Sequence, residues 1–193
     1  MLTAQPGVTD PAPKSPAAQR HGPPPYNAGM ALPPDICIRG AGIVVRTLAL
    51  LLARERLNVA LVDFPAATAA PDVRAYSLNG AAKALLQDLR CWPEPPAVTP
   101  VHQMQVWGDD GCQLNFGAGD HGVGELNWMV DVPVLQDRLA QAVQFQPQIQ
   151  VVQAPVAAPL TVVCEGRASQ TRAELGVGFD TTHYEQHALA TRL

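Results

Sequence analysis

The stretch DICIRGAGIVVRTLALLLARERLNVALVD, residues 35–63, decides the fold. Its opening DICIR is short, apolar and β-branched, which predicts a buried strand. After the GAG turn comes an apolar segment with helical spacing that we expect to end near Leu57, and NVALVD predicts a second buried strand ending at Asp63. Strand, turn, helix and strand in this order predict a βαβ unit with parallel strands.

The GAG turn predicts a site for a diphosphate. Gly40 and Gly42 expose backbone N–H groups at the start of a helix, where the helix dipole favours an anion. Asp63 follows Gly40 by about 20 residues, the separation at which an acidic side chain accepts a hydrogen bond from a ribose hydroxyl. Such turns also occur in α/β proteins without a nucleotide, so a purely structural turn remains the alternative.

Val45 occupies the position where a dinucleotide-binding turn has its third glycine. That glycine allows close contact between helix and strand, and overpacking there costs about 1 to 3 kcal/mol. Since the two glycines nearest the phosphates remain, we expect nucleotide binding that is weaker than with glycine and is tightened by Val45→Gly.

Composition excludes several classes of function. The chain has 193 residues, 47% of them hydrophobic, which suits a packed core, and its formal net charge of −4 argues against a nucleic-acid partner. Arginines interrupt the most apolar region, so we predict no membrane span. The four cysteines form no C-x-x-C pair, and we interpret them as reduced thiols with packing roles.

The rest of the chain divides into segments of different character. We predict a disordered Pro/Ala-rich tail (1–34), the βαβ unit with a following helix capped by Ser77 or Asn79 (35–100), an inserted β segment with a hairpin turn at DDG (101–130), a return to helix and short strands (131–178), and the start of a further extended region (179–193).

Other motifs predict no metal and no nucleophile. His183 and His187 in HYEQH have the spacing of two metal ligands on a helix, but Thr181 and Thr182 favour a strand and no third ligand is apparent. The sequence contains no G-x-S-x-G elbow. We therefore assign no metal site and no catalytic side chain.

Five stretches together resemble the FAD-dependent aromatic hydroxylases of ubiquinone biosynthesis, which are flavoprotein monooxygenases with the para-hydroxybenzoate hydroxylase fold. They are DICIRGAGIVVRTLALLLARERLNVALVD, DVRAYSLNGAAKALLQDL, VTPVHQMQVWGDDG, LNWMVDVPVLQDRLAQAV and VVCEGRASQTRAELG, and the likeness covers residues 35–193. It implies an α/β fold, namely a Rossmann-like FAD-binding core with an inserted, incomplete antiparallel β substrate region.

The resemblance assigns one group of residues to the ADP half of FAD. Gly40, Ala41 and Gly42 would meet the pyrophosphate, and Asp63 would meet the adenosine ribose.

A second group is assigned to the flavin side of the cofactor. Arg74 lies in the DxRA stretch, and Gln136 matches a helix position that often contacts FAD. Glu165 and Gly166 stand where the family usually has Asp-Gly, a motif near both FAD and the nicotinamide nucleotide.

The family's activity, carried over, is oxidoreductase chemistry in which FAD uses NAD(P)H and O2 to hydroxylate a polyprenylated phenol. FAD performs the chemistry while the protein positions it and excludes water. The resemblance also implies a cytoplasmic protein, peripheral at the inner face of the membrane, and other ubiquinone-biosynthesis enzymes as partners.

Members of this family run to about twice this length, and their second half carries another flavin-binding motif and much of the substrate pocket. We therefore expect a partial chain in which turnover is doubtful. The alternatives are a catalytically silent FAD-binding-fold fragment or assembly module, and a nicotinamide-dependent reductase built on the same βαβ unit.

Overall fold

A computed structural model of the chain describes residues 33–63, 72–167 and 169–187. All of the predicted disordered tail except residues 33 and 34 lies outside the described residues, as do residues 188–193 of the predicted last segment. The disorder therefore stays a prediction.

The described part contains nine strands, four α-helices and one short 3-10 helix. In chain order they are β1 (Ile36–Arg39), α1 (Ile43–Arg54), β2 (Val59–Val62), β3 (Ala75–Leu78), α2 (Gly80–Asp88), β4 (Val98–Val101), β5 (Gln103–Trp107), β6 (Gln113–Gly117), the 3-10 helix (Gly119–His121), β7 (Asn127–Asp131), α3 (Val132–Gln144), β8 (Ile149–Val152), β9 (Leu160–Val163) and α4 (Gln170–Glu174).

The predicted βαβ unit is present, since β1 and β2 are adjacent and parallel on either side of α1 in the chain. The helix ends at Arg54, earlier than predicted, because Arg56 takes a positive φ of 62° and donates its amide to the Ala53 carbonyl. All four residues of β2 and the first three of β1 are buried and apolar, whereas Arg39 at the end of β1 is partly buried. They form the centre of a four-stranded parallel sheet in the order β8-β2-β1-β9.

Helix α1 packs on α3 and on the parallel sheet. The α1 residues that are buried include two alanines, Ala49 and Ala53, which let the helix lie close to its neighbours. Val45 is 2% exposed and belongs to the same core, so its branches are accommodated as ordinary core packing. Removing them would therefore leave a cavity as well as relieve any crowding.

The region that follows β2 forms two antiparallel sheets. Strands β3, β7 and β4 make one, in that order, and β5 and β6 make the hairpin predicted around DDG. Strand β3 was not predicted. It contains Ser77, so the cap of α2 is Asn79, whose side chain accepts a hydrogen bond from the Ala82 amide at 2.9 Å.

These sheets confirm the predicted α/β class, with a parallel core and an antiparallel β region. Within the described ranges, no helix has the length and apolar character needed to cross a membrane. All four cysteines are free: Cys37 and Cys91 are buried as packing residues, whereas Cys112 is exposed, contrary to the packing role predicted for it.

Candidate functional site

The carboxyl ends of three adjacent parallel strands bring predicted residues of both groups to one edge of the sheet. Gly40 follows β1, Asp63 follows β2, and Glu165 comes soon after β9. In open parallel sheets this edge is where ligands bind. The structure thus brings together residues that are far apart in the sequence.

Gly40 allows a close approach of two main-chain segments at this edge. Its φ is +127°, and a Cβ placed on it would lie 2.5 Å from the backbone oxygen of Cys164. Its N–H group donates to the carbonyl of Val62 at 3.1 Å and so extends the sheet. Gly40 is therefore the residue that lets the turn pass close to β9, and its amide is already used by the protein.

Gly42 has the properties of a phosphate-facing residue. It is the N-cap of α1 in an extended conformation, and a Cβ on it would meet nothing within 4 Å. Its carbonyl accepts the first helical hydrogen bond, from the Arg46 amide. No acceptor in the described part of the chain pairs with the amides of Ala41, Gly42, Ile43 or Val44. Unpaired amides at a helix N-terminus form the usual backbone site for an anion.

Asp63 is held by a residue that the sequence analysis missed. The Arg46 Nη2 atom lies 3.3 Å from Asp63 Oδ2, and both side chains are partly exposed. A cation near the start of a helix interacts unfavourably with the helix dipole, and a nearby carboxylate offsets this interaction. The position of Arg46, four residues after Gly42, was the available signal.

Glu165 is engaged by the protein on both carboxylate oxygens. The Thr171 hydroxyl donates to it at 2.6 Å and the Thr171 amide at 3.1 Å, and the Ser169 hydroxyl donates at 2.8 Å. The Arg39 Nε atom lies 3.0 Å from Oε1. Glu165 therefore ties the start of α4 to the end of β1, and sequence reasoning found none of these three partners.

This environment lowers the pKa of Glu165 from its ordinary value of 4.5 to about 2. The hydrogen bond from the Thr171 hydroxyl is the largest cause, and the Ser169 hydroxyl, the Thr171 amide and the charge of Arg39 add to it. Partial desolvation acts in the opposite direction. The carboxylate stays ionised throughout the physiological range.

Gly166 has a φ of +78° and, with Ser169 and Arg172, lines a cavity of about 260 Å³ next to Glu165. The cavity places Gly166 beside open space, as a residue facing a ligand requires.

Arg74 and Gln136 lie in another part of the described chain. The Arg74 side chain pairs with Asp72 at 2.8 Å, which raises the pKa of the guanidinium. The Arg74 carbonyl accepts a hydrogen bond from the Val132 amide at the start of α3, the helix that carries Gln136. Arg74 therefore lies next to the start of α3, and Gln136 lies further along the same helix.

We expect Glu165→Gln to lower the free energy of unfolding at neutral pH by about 2 kcal/mol, because hydrogen bonds to an ionised carboxylate are replaced by weaker ones. A folded-state pKa below the unfolded value contributes stability above about pH 4.5, and this contribution is lost as the pH falls toward 2. The difference between wild type and variant should therefore shrink on acidification, as measured by urea unfolding at neutral pH and at about pH 2.5.

Glu174→Gln on α4 is the matched control, because Glu174 is exposed on the helix that Glu165 tethers. It should change stability by less than about 0.5 kcal/mol at either pH. A pH-independent effect of Glu165→Gln would contradict the assignment of the ionised carboxylate as the tie.

Comparisons with known proteins agree with this architecture. No family model matches the chain. It is 27% identical over 186 residues to 3-demethoxyubiquinol 3-hydroxylase of Escherichia coli (strain K12), covering 81% of this chain and 47% of that protein.

Solved structures show the same fold. The p-nitrophenol 4-monooxygenase PnpA from Pseudomonas putida DLL-E4 has a TM-score of 0.60 at 13% identity, covering 79% of this chain and 46% of that chain. The flavin-dependent monooxygenase PieE, solved in complex with FAD and substrate, has a TM-score of 0.57 at 18% identity, covering 78% and 33%.

The chain thus spans about half the length of the curated relative it matches. The sequence likeness covers most of this chain, and the solved structures have its fold. The resemblance inferred from the sequence is confirmed: this chain has the fold of the FAD-dependent monooxygenases and is similar to a hydroxylase of ubiquinone biosynthesis.

Proposed function

We propose that the edge formed by Gly40, Gly42 and Asp63 binds the ADP half of FAD. The observation that carries this proposal is the row of unpaired amides from Ala41 to Val44 beside the open space at Gly42. A diphosphate would accept hydrogen bonds from these amides, and the Asp63 carboxylate would accept one from the ribose. Gly40 shapes the turn, so the phosphate donors are Gly42 and its neighbours.

The remaining predicted residues would hold the flavin side. Arg74 and Gln136 are associated with the start of α3, and Glu165 with Gly166 borders the cavity near β9. Since both oxygens of Glu165 are engaged within the protein, its role toward the cofactor would be to position the Gly166 turn. When bound, FAD would supply the redox chemistry by which NAD(P)H and O2 hydroxylate an aromatic ring.

The substrate that the comparison supports is a polyprenylated phenol, because the relative's name is that of a demethoxyubiquinol hydroxylase. Such a substrate resides in the bilayer, which favours peripheral contact with the inner membrane face and contact with other enzymes of ubiquinone biosynthesis. The localisation that fits is cytoplasmic and membrane-peripheral.

A catalytically silent assembly module is the second candidate function. An open apolar groove of about 350 Å³ between α1 and α2 favours it, and Ile43, Leu48, Leu51, Leu78 and Leu85 line this groove. Such a surface is typical of a protein contact. A module of this kind would bind FAD without turnover, so NAD(P)H would fail to bleach the bound flavin under anaerobic conditions.

Calorimetric titration with ADP, FAD, FMN and NADH tests the proposed nucleotide site. We expect FAD and ADP to bind and FMN to bind at least about tenfold more weakly, because FMN lacks the adenosine and the second phosphate. Binding of FMN without ADP would refute the assignment of this edge to the ADP half. Preferential binding of NADH over FAD would favour the nicotinamide-dependent reductase.

A further inference from the structure

The ion pair between Arg46 and Asp63 lies where the nucleotide's ribose is proposed to bind. Asp63 directly follows β2, and its backbone amide donates to the Val152 carbonyl at 3.0 Å, which fixes the main chain. Arg46 lies one turn into α1, past the N-cap Gly42. The pair therefore links the end of the strand to the helix turn that carries the unpaired amides.

The geometry of the pair leaves half of the carboxylate available. Arg46 Nη2 contacts Asp63 Oδ2 at 3.3 Å, and no described residue hydrogen-bonds to Oδ1. The Asp63 side chain is 34% exposed, twice the value of 17% for Arg46. The guanidinium is thus the more enclosed partner, and the carboxylate is the more accessible one.

The charges also favour a partner with a hydroxyl group. A lone carboxylate next to a diphosphate would be repelled by it, and a guanidinium on the protein side offsets that repulsion. A phosphate at the ribose 2′ position would face the Asp63 carboxylate directly, at the oxygen that Arg46 does not cover. A neutral hydroxyl can donate to this oxygen without any such penalty.

We propose that Arg46 is a positioning residue that sets the specificity of the nucleotide site: it fixes the Asp63 carboxylate so that the free Oδ1 accepts a hydrogen bond from an adenosine 2′-hydroxyl. This inference rests on the proposed ADP site. It adds a residue that selects ribose over deoxyribose and over a 2′-phosphorylated ribose. Arg46 itself does not contact the nucleotide in this account.

The test is a calorimetric comparison of ADP, 2′-deoxy-ADP and adenosine 2′,5′-bisphosphate on the full chain. The wild type should prefer ADP over 2′-deoxy-ADP by about tenfold, the usual effect of one hydrogen bond to a charged group. Arg46→Ala should reduce that preference to about twofold, because the carboxylate is no longer held in place. Arg46→Lys should keep part of it, since a lysine restores the charge but not the planar guanidinium.

Arg54→Ala is the matched control, because Arg54 pairs with Asp88 at the other end of α1. It should leave the preference for ADP at the wild-type value. Arg46→Gln keeps most of the side-chain volume and replaces Arg46→Ala as the test variant if the alanine protein unfolds. The melting temperature of each variant shows whether it is folded.

Any one of three results would contradict the proposal. If the Arg46 variants keep the wild-type preference for ADP, Arg46 does not position Asp63. Tighter binding of the 2′,5′-bisphosphate than of ADP would mean that Arg46 reads a phosphate, which also overturns it. If ADP binds to none of the folded proteins, the proposed ADP site fails, and the role of Arg46 fails with it.

Discussion

Replacing Gly40 with alanine should lower the free energy of unfolding by about 4 kcal/mol, enough to unfold a marginally stable domain. Two causes add. A φ of +127° is strained for any residue with a side chain, and the new Cβ would lie 2.5 Å from the backbone oxygen of Cys164. Because that oxygen belongs to the main chain after β9, it can move only if the sheet edge moves. Chemical unfolding followed by circular dichroism measures the loss.

Gly111→Ala separates the two causes, since Gly111 also has a positive φ, +80°, but its Cβ would meet nothing within 4 Å. This control should cost only about 1 kcal/mol, the usual penalty for a left-handed conformation. Equal losses for the two variants would mean that the contact with Cys164 does not constrain the turn, and the account of Gly40 would then be mistaken.

Replacing Gly42 with aspartate should affect stability and nucleotide binding in opposite directions. Aspartate is a good N-cap and adds a negative charge at the positive end of α1, so we expect the protein to gain about 0.5 to 1 kcal/mol. The same carboxylate would accept the hydrogen bonds that we propose the amides donate to the diphosphate, and its negative charge would repel the phosphates. The affinity for ADP should therefore fall by at least about a hundredfold, a loss that calorimetry can measure.

Gly42→Asn is the control for shape without charge. It caps the helix similarly, but it should weaken ADP binding less than aspartate does, because it competes for the amides without repelling the phosphates. A Gly42→Asp protein that is stable and binds ADP with wild-type affinity would show that the diphosphate does not lie at this helix end.

Local pattern was sufficient to predict the βαβ unit and the hairpin. Strands β1 and β2 are short apolar segments on either side of a glycine turn and an apolar helix, and each of these signals lies within a few residues. The DDG turn between β5 and β6 is a local signal of the same kind. The end of α1 was misplaced because the residue in the left-handed conformation, Arg56, is not a glycine.

Long-range pairing accounts for what the sequence did not reveal. Strand β3 is mostly exposed, so its sequence has no periodic pattern of buried residues. It is held in place by pairing with β7, which lies much further along the chain. The position of β9 next to β1 likewise depends on contacts between distant segments.

The candidate site shows the same division between local and distant signals. The glycines and Asp63 follow a known spacing. In contrast, the ion pair between Arg39 and Glu165 joins the end of β1 to the segment after β9, and these are neighbours only because the two strands pair in the sheet. Val45 was predicted to crowd the helix crossing, yet the alanines on the same face leave room for it in the core. Its effect on FAD affinity stays a prediction.

The central claim is that unpaired amides at the start of α1 receive a diphosphate, and an NMR titration of the wild-type protein with ADP tests it most directly. We expect the largest shifts of amide signals at Ala41, Gly42, Ile43 and Val44. The amide signal of Gly40 should shift less, because this amide already donates a hydrogen bond to the Val62 carbonyl. Saturable ADP binding that leaves these four signals unchanged and shifts amides elsewhere would contradict the account.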